Sequence, residues 1–576
     1  MALPLALTSA EKEVVNAAAE GDLADFTAGD KQADDPAQGA AWDDGRSVRA
    51  EVICALAVGT NPAWPVHAKG VRIRGAKIVG ALDFEAATLR CPLLLVGCYI
   101  DKPVTLLGAT IPALNLHGSH LPDLKADRVS VRGSVFLRGG FTATGEVRLP
   151  RAQIDGDLSC IGASFTNQKG PALNADGVSV RGNVFLSEGF TATGEVRLLG
   201  AQIGGQLNCN GSFTNQKGPA LSADRVNVRG GVFLREGFTA TGEVRLLGAQ
   251  IGGDLSCDRG SFSNQNGPAL SADGVNVRGN VFLSEKFSAT GEVRLLGAQI
   301  GGDLSCDGGS FTNQNGDALV MERATVEGTF FMRELAGAPV GRVDLMGAKV
   351  GILCDDAKSW PAKDYLALDG FVYEAIAPGS PTRAEERLDW LGRQPEKQFL
   401  PQPYEQLIRV LRNMGDERGA RKIAIAKQKA LRKSGALGGL GKAWNYLVGG
   451  VVGHGYRPIL ALGWLASFVL LATMLFWSAS RSGRMVPAPQ HHLSASASPH
   501  QGRSSCSERP QPFLYAVETI VPGLDLHQKS CWWLAPKDGT DRLYLLFEFL
   551  VIVYYLASLA VAATLAAALA GLIKRD

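Results

Sequence analysis

The stretch ALSADGVNVRGNVFL (269–283) and, after an eight-residue interval, EVRLLGAQIGGDLSC (292–306) can be laid over each other place by place. Both are apolar at places 2, 4, 7, 9, 13 and 15, and both carry glycine at place 11. A period of two puts alternate side chains on one side of a short strand, and the recurring glycine marks a corner where the chain turns sharply. Helical spacing, with apolar residues three and four apart, fits the stretch badly. So small a unit cannot bury its apolar side alone. Copies must stack at the strand spacing of about 4.8 Å, each backbone pairing with the next. The expectation is a mainly-β fold, a right-handed β-solenoid with about 24 residues per turn.

Working outward, Val131-Arg132-Gly133 recurs at Val180, Val228 and Val277, and Glu146-Val147-Arg148-Leu149 recurs at Glu195, Glu243 and Glu292. The step is 48 or 49 residues, which is two turns. The same register is found in VRIRGAKIVGALDF (71–84) and RVDLMGAKVGILCDD (342–356), so the solenoid is expected over 66–376. An open end of such a stack invites edge-to-edge pairing unless something covers it. Residues 1–65 read as a helical cap. Thr8 and Glu11 form a capping box for a first helix, and a second apolar-periodic segment runs from Arg46 to Val58.

Composition agrees with a repeat architecture. Among 576 residues there are 69 glycines, spread through the first two-thirds of the chain, and the formal net charge is only +2. So small a charge gives no reason to expect nucleic acid as a partner. MALPLALTSAEKEVV at the start lacks a basic stretch followed by a long apolar core, and the N-terminal bulk is expected to stay in the cytoplasm.

The A-x-I-x-G core of GAQIGGDLSC (297–306) resembles that of pentapeptide-repeat-like β-helical proteins. Its continuation through LDGFVYEAI (368–376), RLDWLGRQ (387–394) and FLPQPYEQLIRVLRNMGDERGARKIAIAKQ (399–428) resembles a bacterial group in which such a solenoid precedes a membrane segment. Members of that group are often catalogued as membrane-associated oxidoreductases, and the resemblance implies that activity as an alternative. The central repeats here are more uniform than the group's pattern, as recent duplication would make them.

Cys160, Cys209, Cys257, Cys306 and Cys354 recur once per two turns. At roughly 9.6 Å apart they are too distant to form disulfides or share a metal ion, so they read as small inward-facing residues. The Glu and Arg of E-V-R-L read as a solvated face. No dinucleotide loop, C-x-x-C, H-E-x-x-H or G-x-S-x-G is present, and near-identical repeats would duplicate any catalytic group. No catalytic, cofactor-binding or metal residue is assigned, and no cofactor is expected.

Beyond Pro378 the pattern becomes helical. Residues 377–445 are expected to hold a helical hairpin that seals the solenoid, followed by a basic linker with no acidic residue from Arg418 to Arg457. Residues 456–478 and 542–573 are long and apolar enough to cross a bilayer. Flanking basic residues put both termini and the solenoid in the cytoplasm, as in a multi-pass protein of a bacterial inner membrane. The intervening loop, 479–541, is then extracytoplasmic, where Cys506 and Cys531 could form a disulfide. His491, His492, His500 and His527 lie in the same loop at spacings that match no metal motif. Within it, 512–528 is a candidate re-entrant segment, and two spans flanking such a segment resemble the pore module of potassium-channel-like proteins. Where those channels carry TVGYG, this chain has Thr519-Ile520-Val521-Pro522-Gly523-Leu524-Asp525. Glu518, Asp525 and Glu548 are the candidate pore or interface carboxylates.

The leading functional expectation is a membrane-anchored cytoplasmic scaffold whose solenoid binds a protein partner. The alternatives are a channel-like homo-oligomer with a cation pore and, through the resemblance alone, an oxidoreductase.

Overall fold

A computed structural model describes residues 6–395, 399–457, 459–488, 509–521, 523–536 and 542–570. It divides into two compact units, 1–396 and 397–576.

The first unit is a parallel β-solenoid. One position can be followed upward through it: Val71, Leu93, Leu114, Val135, Leu158, Val184, Leu207, Val232, Leu255, Val281, Leu304, Phe330, Leu353 and Ile376 each sit on the one before, in parallel register. That makes 13 turns, with steps of 21 to 26 residues. Early in the stack the buried residues come in pairs at five-residue intervals: Val104/Leu106, Ala109/Ile111, Leu114/Leu116, Ser119/Leu121, Leu124/Ala126 and Val129/Val131, none more than 2 % exposed. Each turn therefore has four short sides. All twelve apolar places read from 269–283 and 292–306 are buried, from Leu270 to Cys306.

The glycines at place 11 do stand at a corner, but for a reason other than backbone conformation. A Cβ on Gly279 would lie 2.3 Å from Asp254 Oδ1 and 2.9 Å from the Gly253 carbonyl oxygen. On Gly302 it would lie 2.3 Å from Asn280 Oδ1. These oxygens belong to a ladder over the corner: Asp254 Oδ1 accepts from the Asn280 backbone N–H (2.7 Å), and Asn280 Oδ1 accepts from that of Asp303 (2.8 Å). Glycine is required because stacked turns leave no room. The left-handed corner is at place 6, where Gly274 and Gly297 have φ of +63°, and Arg128 and Arg225 hold the same conformation in other turns.

A column of phenylalanines fills the interior beside this framework. Phe141, Phe165, Phe190, Phe213, Phe238, Phe262, Phe287 and Phe311 stack one per turn, with ring centroids 4.9 to 5.8 Å apart. On the outside, Arg148, Arg197, Arg245 and Arg294 each reach back one turn to Asp127, Asp176, Asp224 and Asp273, at 2.6 to 2.8 Å. The arginine of E-V-R-L thus clips adjacent turns together, and its contact with the glutamate of its own strand is longer, 3.7 Å for Arg148 and Glu146.

Both ends of the stack are covered. At the start, α1 (Ser9–Glu20) carries the expected capping box, with the Thr8 hydroxyl and Glu11 carboxylate exchanging bonds with each other's backbone N–H. The second helix, α2 (Ala50–Val58), begins later than Arg46, because Ser47–Arg49 is a short strand paired with Lys77–Val79. Ala24–Asp25 likewise pairs with Ile73–Arg74, so the cap closes the edge with strand as well as helix. At the other end, α3 (Ala384–Leu391) sends a fully buried Arg387 to Asp355 through two bonds of 2.7 and 2.8 Å. Trp360 Nε1 donates to the same carboxylate, and the guanidinium lies between the Trp360 and Trp390 rings.

The second unit is helical. α4 (Pro401–Asn413) and α5 (Glu417–Lys433) form the expected hairpin, turning at Gly415 with φ +84°. α6 (Gly439–Val452) lies where a linker was expected. Among the described residues two helices are long and apolar enough to cross a membrane, α7 (Ile459–Arg481) and α10 (Arg542–Leu569). Between them come α8 (Pro512–Ile520), the short α9 (Gln528–Cys531) and an antiparallel strand pair, Met485–Pro487 with Trp532–Leu534. Phe476 of α7 meets Tyr515 of α8 edge-on, with centroids 4.6 Å apart.

Removing one partner of a buried ion pair leaves the other uncompensated, at a cost of about 3–5 kcal/mol. Arg387→Ala is expected to destabilise the last turns by that amount, seen as loss of amide hydrogen-exchange protection around Asp355 and Tyr373 while protection of the central turns is retained.

Candidate functional site

The most regular surface of the first unit follows the phenylalanine column, starting one residue after the phenylalanine in turns such as Phe141-Thr142 and Phe190-Thr191 and straddling it in turns such as Ser164-Phe165-Thr166 and Ser212-Phe213-Thr214. In eight successive turns the outward side chains there are Ser or Thr at two places: Thr142 and Thr144, Ser164 and Thr166, Thr191 and Thr193, Ser212 and Thr214, Thr239 and Thr241, Ser261 and Ser263, Ser288 and Thr290, Ser310 and Thr312. Alternation along a strand turns both outward while the residue between them is buried. The hydroxyls form a grid with spacings of about 4.8 Å between turns and about 6.6 Å along the strand. Some bond along the ladder, as Thr191 Oγ1 does to Ser164 Oγ at 2.9 Å.

Every second turn continues from this grid into a protruding loop: NQKGP at 167–171 and 215–219, NQNGP at 264–268 and NQNGD at 313–317. Each loop closes on itself. Asn167, Asn215, Asn264 and Asn313 donate through Nδ2 to the carbonyl oxygen four residues on, each at 2.8 Å. Each also rests on a glycine of the following turn. A Cβ on Gly194 would lie 2.4 Å from the Asn167 carbonyl oxygen, and Gly242 and Gly291 are placed in the same way under the next two loops. The loops thus stand at fixed intervals of roughly 9.6 Å, two rungs apart. Between the first two lies a groove of ≈ 590 Å³, and between the second and third one of ≈ 650 Å³. Their walls carry the Asn and Gln amides together with Lys169 and Lys217, and Glu195 and Glu243 lie at their floors, accepting from the Ser222 and Ser271 hydroxyls. The surface is rich in donors and acceptors, low in net charge and repeated along the axis.

The cysteine column is interior. Cys160, Cys209, Cys257 and Cys306 are wholly buried, and burial raises all four thiols far above their ordinary range. A leucine separates each pair in the column, Leu186 lying between Cys160 and Cys209. Among the described residues no group of three or more His, Cys, Asp or Glu is arranged to hold a metal.

In the second unit the structure gives the three expected carboxylates different surroundings. Glu518 of α8 is buried, and its Oε2 accepts from the backbone N–H of Gln528 (2.7 Å) and of Lys529 (3.2 Å), capping α9. Asp525 is exposed and accepts from the His527 N–H at 2.9 Å. Glu548 is on the exposed side of α10, in hydrogen-bond reach of Tyr544. Cys531 is disulfide-bonded; Cys506, Pro522, His491, His492 and His500 lie outside the described residues. Within 512–528, α8 occupies Pro512–Ile520.

No family model, curated protein or solved structure matches the chain.

Sequence reasoning passed over the hydroxyl grid, because it followed the apolar places and treated what lay between them as solvated. The signal was present as Ser/Thr-x-Ser/Thr, directly after a phenylalanine in half of these turns and with the phenylalanine as its middle residue in the other half. For the cysteines, only the thiolate is nucleophilic. Iodoacetamide at mildly alkaline pH is therefore expected to leave Cys160, Cys209, Cys257 and Cys306 unmodified in the folded protein and to label all four once denaturant is added, as read by peptide mass spectrometry.

Proposed function

We propose that the chain is a membrane-anchored scaffold whose solenoid binds a protein partner along the hydroxyl and amide face. One observation carries this reading: eight consecutive turns present the same hydrogen-bonding groups, with rigid loops at regular intervals. Such a surface is suited to recognition spread over many equivalent contacts, as solenoids commonly use. The two apolar helices α7 and α10 supply the anchor. Basic residues at Arg457, Lys574 and Arg575 flank the spans and support a cytoplasmic solenoid with both termini on the same side. A disulfide at Cys531 suits the opposite, oxidising side, and this reading assigns it Cys506 of the same loop as partner. The pore alternative draws less support, since the Glu518 carboxylate is occupied by two backbone amides.

Neutral hydrogen bonds respond weakly to screening, whereas exposed ion pairs weaken as salt rises. Full-length protein solubilised from its own membranes and purified without cross-linking is expected to retain one polypeptide at raised salt. Replacing Gln168, Gln216, Gln265 and Gln314 by Ala, with Thr193, Thr241 and Thr290 changed to Val, should release it while leaving the protein membrane-bound. Retention of the same polypeptide by this variant would overturn the assignment of the face. Turnover of a redox dye by purified protein with a flavin or haem spectrum would overturn the scaffold reading itself.

A further inference from the structure

α6 is amphipathic with its apolar side facing two ways. Asn445, Val448 and Val452 are buried, and Val448 and Val452 pack with Ala461 near the start of α7 and with Val561 and Ala568 near the end of α10. Trp464 Nε1 of α7 donates to the Gly450 carbonyl oxygen at 3.2 Å, tying the same end. On the adjoining face, about 100° round the helix, Leu440 is 91 % exposed, Trp444 59 % and Leu447 39 %, at places i, i+4 and i+7. Tyr446, on the far flank of α6, is 63 % exposed. Nothing in the second unit covers this stripe among the described residues. Cations lie on the other side of the helix. Arg432 stacks over the Tyr446 ring at 3.9 Å and bonds Asn445, Lys433 is exposed, and Lys442 sits within α6. Arg432 and Lys429 are close enough to His454 that they join burial in lowering its pKa. From Arg418 to Arg457 there is no acidic residue, so the counter-charge for this patch must come from elsewhere.

We infer that α6 is an interfacial helix that docks on an anionic lipid leaflet, with Leu440, Trp444 and Leu447 in the acyl boundary and Arg432, Lys433 and Lys442 at the headgroups. The inference rests on the anchor reading of α7 and α10. Packing against the ends of both helices puts α6 at the level where a leaflet surface lies. A helix with an exposed Leu/Trp stripe on one face and lysine and arginine on the other has the composition that binds there, tryptophan favouring the interface and the cations favouring anionic lipid. The consequence is a membrane attachment that depends on lipid charge, added to two spans that do not.

The test uses full-length protein in nanodiscs whose phosphatidylcholine acyl chains are brominated, with or without phosphatidylglycerol. Emission of Trp444 is obtained as the difference between wild type and Trp444→Phe, and that of Trp464 in α7 likewise with Trp464→Phe. The expected result is quenching of Trp464 in both lipids, and quenching with a blue shift of Trp444 in the anionic discs only, lost in Arg432→Gln/Lys433→Gln/Lys442→Gln. If Trp464 is quenched while Trp444 stays open to aqueous iodide in both lipids, the interfacial helix is wrong and the anchor stands. Equal quenching of Trp444 with and without phosphatidylglycerol would overturn the role of lipid charge. Absence of Trp464 quenching would overturn the anchor reading beneath both.

Discussion

Everything in the first unit follows from one constraint: each turn must satisfy its backbone hydrogen bonds and bury its apolar side on the turn before it, at a separation of about 4.8 Å. That distance is too small for a Cβ at Gly279 or Gly302, and it brings successive phenylalanine rings into contact from Phe141 to Phe311. It also lets a side chain on one turn act on the next, as Asp254 does on Asn280 and Arg294 on Asp273. An interior pattern that repeats this strictly forces a repeating exterior. The hydroxyl grid is the outward complement of the buried phenylalanine, alanine and glycine places.

The solenoid was legible because its cause is local and periodic. A residue such as Leu270 or Ile300 is inward for a reason visible within five residues on either side, and all twelve places read that way are buried. The capping box at Thr8 was legible for the same reason. What escaped depended on pairings between distant parts of the chain. Arg387 in RLDWLGRQ looks like a surface helix residue until the chain brings Asp355 and two tryptophans around it, 32 residues away for the carboxylate. The role of Glu518 turned on where Gln528 and Lys529 place their backbone amides. In the same way α6 was hidden, because glycines at Gly439, Gly441, Gly449 and Gly450 suppress its helical signal and packing on α7 and α10 supplies the stability that propensity does not.

Place 6 and place 11 show how the same residue type can answer different demands. At place 6 the backbone is left-handed, and it is held by arginine at Arg128 and Arg225, whose side chains are exposed. At place 11 the backbone is ordinary and the space is closed. Variation along the repeats tracks this difference, for the corner that only strains the chain admits another residue while the corner that would collide does not.

The turns alternate in length, 26 residues from Leu158 to Val184 and 23 from Val184 to Leu207, because the asparagine loop is inserted only in every other turn. The smallest piece that can be copied or deleted without breaking the alternation is therefore a pair of turns. Gain or loss of one such piece would lengthen or shorten the rod by a fixed increment and add or remove one loop, leaving both end caps untouched. The protein has the construction of a ruler: its reach is set by how many pairs it holds, and a lineage could adjust that reach by unequal recombination between near-identical segments rather than by point substitution.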